Sequence, residues 1–284
     1  MNGLNFLSID NILLNALRED IGNGDITTSS LIAEKHISKA GIIAKGDFML
    51  AGLPFAERTF QLIDKNIKFK IFKKDGRHVK TRDVIAKISG NTRSILMAER
   101  TALNLLQRLS GTATLTSKYV QRVKGLKVKI ADTRKTPPGL RYFDKYAVRT
   151  GGGHNHRYGL FDGVLIKDNH IAAAGGVGKA VKLARSKAHH LLKIEAEVKN
   201  IREVKEALSA GADVIMLDNM PVKEMKKAVS IIRHKAHDVL IEASGNITLE
   251  NVRSIAETGV DLISVGALTH SAPAADISMK IVFK

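Results

Sequence analysis

Beyond residue 125 the chain alternates short apolar runs with amphipathic stretches, and this alternation restricts the available folds more than any other feature. The apolar runs are KVKIADT, DGVLIKD, LLKIEAEV, DVIMLDN, DVLIEAS and DLISVGA. Between them lie GKAVKLARSKA, NIREVKEALSAG, PVKEMKKAVSIIRHKA and TLENVRSIAETG, whose apolar residues recur at helical steps. Pro221 suits a first helical turn, and Gly211 and Gly259 suit positions just past helix ends. Gly211-Ala-Asp-Val-Ile and Gly259-Val-Asp-Leu-Ile repeat one helix-to-strand transition. Repeated βα units with helices outside imply a parallel sheet, closed or nearly closed into a barrel. Six or seven strands can be counted, so an incomplete barrel is expected rather than a regular one.

In such a barrel the site lies at the C-terminal ends of the strands. Here those ends carry Asp132 and Arg134, Lys167 and Asp168, Glu195 and Glu197, Asp218 and Asn219, Glu242 and Ser244, and Gly266. One polar strand end is merely the start of a loop, but polar ends on strand after strand point to a shared pocket. The segment 132–170 adds Lys135, Arg141, Lys145, Arg149, His154, His156 and Arg157, with Asp144 and Asp162 as the acids between Arg134 and Lys167. Cations gathered where apolar strands end suit a multiply charged anion.

Three anion devices separate. Ser244-Gly245 and Gly266-Ala267 follow the last two strands, where small residues expose backbone N–H groups to a phosphate, and His270 lies just beyond. Arg134, His156, Arg157 and Lys167 suit planar carboxylates, since arginine offers a bidentate fork. Glu197 and Asp218 face the same pocket and suit ribose hydroxyls or a Mg²⁺ carried by a phosphate. The competing account of this acid pair is salt bridges to Lys135 and Lys167.

Composition narrows the classes. The chain of 284 residues has room for one barrel-sized domain or two smaller ones. It has no cysteine, which excludes disulfides and thiolate chemistry. A net charge of +17 invites nucleic acid, but Trp is absent and no basic stretch interleaves aromatics as a stacking platform would. Many lysines (Lys223, Lys226, Lys227, Lys235) instead fall on outer helix faces. No nucleic-acid partner is expected. No apolar run is long enough to span a membrane, and no lysine or arginine precedes Arg18, so neither a signal peptide nor a membrane partner is expected. The expected location is the cytoplasm.

The N-terminal part reads differently. Residues 8–19 form an amphipathic helix with Ser8 as its N-cap. From 39 to 90 the apolar period becomes two, with Asp75-Gly76 as a turn and a helix near 54–64, which indicates antiparallel strands in a small α+β unit. Residues 94–111 form the strongest helix. Ala98, Ala102, Leu105, Leu106 and Leu109 make its buried face, Arg100, Asn104, Gln107 and Arg108 its polar side, and Gly111 its end.

Some motifs mislead. AAAGGVGKA (172–180) lacks the first glycine and the final Ser or Thr of a phosphate-binding loop. His154-Asn155-His156 is a weak zinc pattern without cysteine or a further ligand motif.

LREDIGNGDITT (17–28), AERTALNLLQRLSGTAT (98–114), DTRKTPPGLR (132–141), GGGHNHRYGLFDGVLIKDNH (151–170), EAEV (195–198), IMLDN (215–219), EASGNI (242–247) and VGALTHS (265–271) together resemble quinolinate phosphoribosyltransferase, in that family's order and over nearly the whole chain. The resemblance implies an α/β fold. An N-terminal α+β sandwich domain (1–112) is followed by an open, incomplete (β/α) barrel (113–271), with 272–284 packing back on the sandwich. It implies that Arg134, His156, Arg157 and Lys167 surround the quinolinate carboxylates, with Arg100 supplied by the partner of a homodimer with shared active sites, possibly part of a higher assembly. It also implies that Lys135, Glu197 and Asp218 meet the ribose, pyrophosphate and Mg²⁺ of phosphoribosyl pyrophosphate, and that Ser244, Gly245, Gly266 and His270 hold its terminal phosphate. The activity implied is decarboxylating phosphoribosyl transfer to quinolinate in NAD biosynthesis. A paralogous anion-binding protein associated with molybdate transport shares many of these motifs and is the alternative. The complete basic set around both carboxylates favours the enzyme.

Overall fold

The computed structural model describes residues 6–282. In chain order the elements are α1 (Phe6–Ile21), α2 (Ile26–Leu31), β1 (Ile37–Ala44), β2 (Phe48–Met49), α3 (Leu53–Ile63), β3 (Lys68–Ile71), β4 (His78–Val79), β5 (Val84–Asn91) and α4 (Thr92–Arg122). There follow β6 (Lys129–Ala131), α5 (Arg141–Thr150), β7 (Val164–Ile166), α6 (Asp168–Ala174), α7 (Val177–Lys187), β8 (Ile194–Val198) and α8 (Ile201–Ser209). The chain ends with β9 (Val214–Asp218), α9 (Val222–Lys235), β10 (Leu240–Ser244), α10 (Val252–Ala256), β11 (Leu262–Ser264), α11 (Ala267–His270) and β12 (Ile277–Val282).

Two compact units result. The first takes the chain up to Leu115, Pro138–Gly152 and everything from Ala272 on; the second is Thr116–Pro137 with Gly153–Ser271. The expected division after residue 112 left 138–152 in the barrel. That segment belongs to the first unit because Phe143 and Ala147 on α5 are fully buried against Ile9, Phe55 and Leu109.

In the first unit an antiparallel sheet has the order β12-β1-β5-β3, and Ile42, Ile85 and Ile88 pack with Phe60 and Leu106 in one core. Helix α1 starts at Phe6, so Ser8 lies within it rather than capping it. Helix α4 does not stop at Gly111. A Cβ there would sit 2.0 Å from the Pro273 carbonyl oxygen, so this glycine marks a close approach of backbones inside a longer helix. The polar side of α4 is only partly wet. Gln107 accepts the Ala275 N–H and donates to the Ile277 carbonyl, and Arg108 forks onto the fully buried Asp144 with both bonds at 3.0 Å. Such a buried carboxylate needs its charged partner. Asp75, expected only as a turn residue, accepts the Gly52 and Leu53 N–H groups at the start of α3 and the Tyr146 hydroxyl. Burial raises its carboxyl above the ordinary range.

The second unit is an all-parallel sheet of order β6-β11-β10-β9-β8-β7. Its outer strands β6 and β7 do not pair with each other, although Ala131 makes one isolated bridge with His154. The barrel is therefore open. Strand alternation explains why it carries a site. Ile194, Ala196, Val198, Ile215, Leu217, Ile241 and Ala243 are wholly buried on one face of the sheet. The intervening positions, Glu195, Glu197, Met216, Asp218, Glu242 and Ser244, occupy the opposite face.

Candidate active site

The strand ends enclose a cavity of about 700 Å³, lined by residues of the second unit alone. Arg134, Lys135, His156, Arg157, Lys167, Glu197, Asp218, Ser244, Gly245, Gly266 and His270 all line it. Arg100 does not; it is exposed on α4 in the first unit. Asp168, at a strand end by sequence, is absent from the lining and pairs with Lys199 at 3.1 Å.

Arg134 and Arg157 face the cavity as a pair of cations. The Nε–H of each is buried without a hydrogen-bond partner, while one Arg157 NH group donates to the Gly163 carbonyl at 3.1 Å. Burial first, and the neighbouring Arg134 charge second, pull the Arg157 guanidinium below its ordinary value. Two like charges with buried, unpartnered donors describe a seat for an anion.

Glu197 and Asp218 end adjacent strands, with Glu197 beside Met216 and Asp218 beside Ser244 in the ladder. Burial, then the Asp218 charge, raises the Glu197 carboxyl above the ordinary range. Among the described residues neither carboxylate forms a direct ion pair with Lys135 or Lys167, although the Lys167 charge partly offsets the rise at Glu197.

The loops after β9, β10 and β11 depend on backbone shape. Asn219, Gly245 and Asn246 all adopt left-handed conformations, with φ of 52°, 91° and 49°. A Cβ on Gly245 would lie 2.3 Å from the Asn219 side-chain oxygen, so conformation and space both require glycine. Asn219 donates to Asp218 Oδ1 at 3.1 Å and accepts from Asn246 at 2.9 Å, which ties the acid to the loop after β10. Gly266 has ordinary φ, but a Cβ there would meet the Lys135 stem and the His270 ring, each at 3.1 Å. The Thr269 hydroxyl donates to the Lys135 carbonyl at 2.7 Å, holding the 133–137 loop against α11.

His156 lies against protein groups as well as the cavity. Its Nδ1 accepts the Arg157 backbone N–H at 2.8 Å, and its Nε2 lies 3.2 Å from Glu195 and 3.5 Å from Glu242. Both ring nitrogens thus face protein groups. Glu242 lines the cavity but is almost wholly buried. Burial first and the Glu195 charge second hold its carboxyl well above the ordinary range, against the His156 ring. The sequence placed Glu195 and Glu242 at strand ends without a role. The period-two pairing with Glu197 and Ser244 was the signal that both turn inward.

An open parallel α/β barrel whose strand ends gather paired arginines, paired carboxylates and small-residue loops around one cavity defines an anion-binding barrel protein. Comparison with known proteins narrows this class. The model of the quinolinate phosphoribosyl transferase C-terminal domain matches residues 112–280, and that of its N-terminal domain matches 25–110. A probable nicotinate-nucleotide pyrophosphorylase [carboxylating] from Bacillus subtilis is 45% identical over 282 residues, covering 98% of this chain and 95% of that protein. The mitochondrial quinolinate phosphoribosyltransferase [decarboxylating] 2b of Nicotiana tabacum is 45% identical over 94% of this chain and 80% of its own length. The crystal structure of NadC from Streptococcus pyogenes superposes with a TM-score of 0.94 at 41% identity, covering 99% of each chain. This chain belongs to the quinolinate phosphoribosyltransferase family.

Proposed function

We propose that this protein transfers the phosphoribosyl group of phosphoribosyl pyrophosphate to the ring nitrogen of quinolinate, with loss of CO₂, giving nicotinate mononucleotide and pyrophosphate for NAD biosynthesis. The observation that carries the reading is the convergence of Arg134, Arg157 and Lys167 on one cavity beside Glu197 and Asp218. A pyridine diacid suits the cationic side, and a ribose bearing phosphates suits the acid pair and the small-residue loops.

The residues divide the work as follows. Arg134, His156, Arg157 and Lys167 hold the two carboxylates and orient the ring nitrogen toward the sugar. As the bond from the anomeric carbon to pyrophosphate breaks, positive charge builds on the sugar, and Glu197 and Asp218 offset it. Lys135 faces the departing pyrophosphate, and the loops at Ser244-Gly245 and Gly266, with His270, hold the other phosphate. The new carbon–nitrogen bond leaves the pyridine ring positive, so the adjacent carboxylate departs as CO₂ while its electron pair stays in the ring and takes up a proton. Excluding water protects the cationic sugar from hydrolysis.

Mg²⁺ fits this donor set. Glu197 and Asp218 are hard oxygen ligands on adjacent strands; burial first and the Asp218 charge second raise the Glu197 carboxyl, and a cation would offset the second of these. Bound with the substrate, Mg²⁺ would supply neutralisation of the pyrophosphate charge. The reading further includes a homodimer in which Arg100, exposed on α4, reaches the cavity of the second copy. The reading places the protein in the cytoplasm. None of the described helices is long and apolar enough to cross a membrane.

The test is product identification by mass spectrometry after incubation with quinolinate, phosphoribosyl pyrophosphate and Mg²⁺. Nicotinate mononucleotide is expected. Equal or better turnover with nicotinate in place of quinolinate would overturn the assignment of a diacid substrate.

A further inference from the structure

The loop after β10 reaches the acid at the end of β9 through a run of side-chain amides. Asn219 Nδ2 donates to Asp218 Oδ1 at 3.1 Å, and Asn246 Nδ2 donates to Asn219 Oδ1 at 2.9 Å. The sense of this chain is fixed from its acid end. An ionised carboxylate only accepts, so the Asn219 amide turns its NH2 toward Asp218 and its oxygen toward Asn246. Asn246 is anchored in turn: its carbonyl accepts from Asn251 Nδ2 at 2.9 Å, and Asn251 Oδ1 accepts the Thr248 N–H at 2.8 Å. The Asn219 backbone N–H donates to the Ser244 carbonyl at 2.9 Å, and its side chain fills the space that a Cβ on Gly245 would need. Asn219 and Asn246 are two of the three non-glycine residues with left-handed backbone among the described residues. Side chains avoid that conformation unless the surroundings hold them in it, so the fold concentrates its backbone strain on this one connection.

We infer that Asn219 is a positioning residue: through its amide, the loop that begins at Gly245 sets the orientation of Asp218 in the cavity. The inference rests on the reading that a phosphate of phosphoribosyl pyrophosphate sits on this loop and that Asp218 faces its sugar. Asn246 lines the cavity whereas Asn219 does not, so Asn219 acts through Asp218 rather than on the substrate. The need for such a hold follows from the charges. Glu197 ends the adjacent strand, and its repulsion of Asp218 favours turning the second carboxylate away. Asn219 fixes one Asp218 oxygen against that push, and the other oxygen accepts no hydrogen bond among the described residues. A phosphate that stiffens the loop also stiffens Asn246, Asn219 and hence Asp218, so one end of the substrate sets the acid that meets its middle.

Glycine accepts the backbone conformation at 219 and 246, so Asn219→Gly and Asn246→Gly remove the amides and keep the turns. In the full-length protein with quinolinate, phosphoribosyl pyrophosphate and Mg²⁺, Asn219→Gly should lower kcat by about thirtyfold and leave the KM for quinolinate within about twofold. Asn246→Gly should lower kcat by about fivefold alone but by less than about twofold in the Asn219→Gly background, because it acts through Asn219. Losses that simply multiply, or an undiminished kcat in Asn219→Gly, would overturn the inference. A crystal structure of Asn219→Gly supplies a readout apart from activity. There Asp218 should leave its wild-type rotamer or occupy more than one, and an unmoved carboxylate would equally overturn the inference. Absence of quinolinate turnover by the wild-type protein would instead sink the substrate reading, while the Asp218 conformation still decides whether Asn219 positions it.

Discussion

Arg134 and Arg157 stand as neighbouring cations in one cavity, each with a buried Nε–H that no protein group accepts. A protein tolerates that arrangement where a ligand supplies the missing acceptors. Arg134→Ala should therefore lower kcat/KM for quinolinate by at least about a hundredfold, or roughly 3 kcal/mol. Removing one of two repelling charges should leave Tm unchanged or slightly higher. Steady-state kinetics beside thermal unfolding checks both. A drop in Tm with intact activity would give Arg134 a structural role.

The loop after β10 yields a second expectation. Gly245→Ala places a methyl group against the Asn219 side chain in a left-handed conformation, displacing the residue that joins Asp218 to Asn246. The KM for phosphoribosyl pyrophosphate should rise by about tenfold or more, while the KM for quinolinate changes much less. Equal effects on both would detach this loop from the phosphate.

What was legible in the sequence follows from period and position. The run Ile194-Glu195-Ala196-Glu197-Val198 alternates so cleanly that strand, faces and inward acids can all be read from it. The same holds for Asp218 and Ser244 at strand ends. Other features depend on partners distant in the chain. Gly111 looked like a helix end because the Pro273 backbone that explains it lies far along the sequence. Arg108 and Gln107 looked wet because Asp144 and Ile277 come from other segments. The acids beside the His156 ring were invisible for the same reason: Glu195 and Glu242 arrive on two later strands.

Glu242 makes stability depend on pH. Its carboxyl is held well above the ordinary glutamate range, chiefly by burial. Between that range and the raised value, the folded protein keeps a proton that the unfolded chain has released. Stability is thus full below the ordinary range and is lost as pH rises through the raised value. Glu242→Gln should flatten this decline in denaturant melts taken from acidic to mildly alkaline pH. A variant that loses stability with pH as steeply as the wild type would assign the decline to another group.

Arg100 is exposed and outside the lining of the cavity in its own chain. If it serves the site of a second copy, Arg100→Ala and Arg157→Ala should each be nearly inactive alone. After mixing and subunit exchange, heterodimers keep one intact site and should regain up to about a quarter of wild-type activity, since half the dimers are mixed and each has one of two sites. No recovery, with exchange verified by mass, would count against a shared site.

The most direct measurement follows CO₂ released from carboxyl-labelled quinolinate against pyrophosphate formed. With phosphoribosyl pyrophosphate and Mg²⁺ present, one CO₂ should appear per pyrophosphate, and none when either substrate is left out. Pyrophosphate without CO₂, or no release from quinolinate at all, would contradict a cavity built to hold a pyridine diacid for decarboxylating transfer.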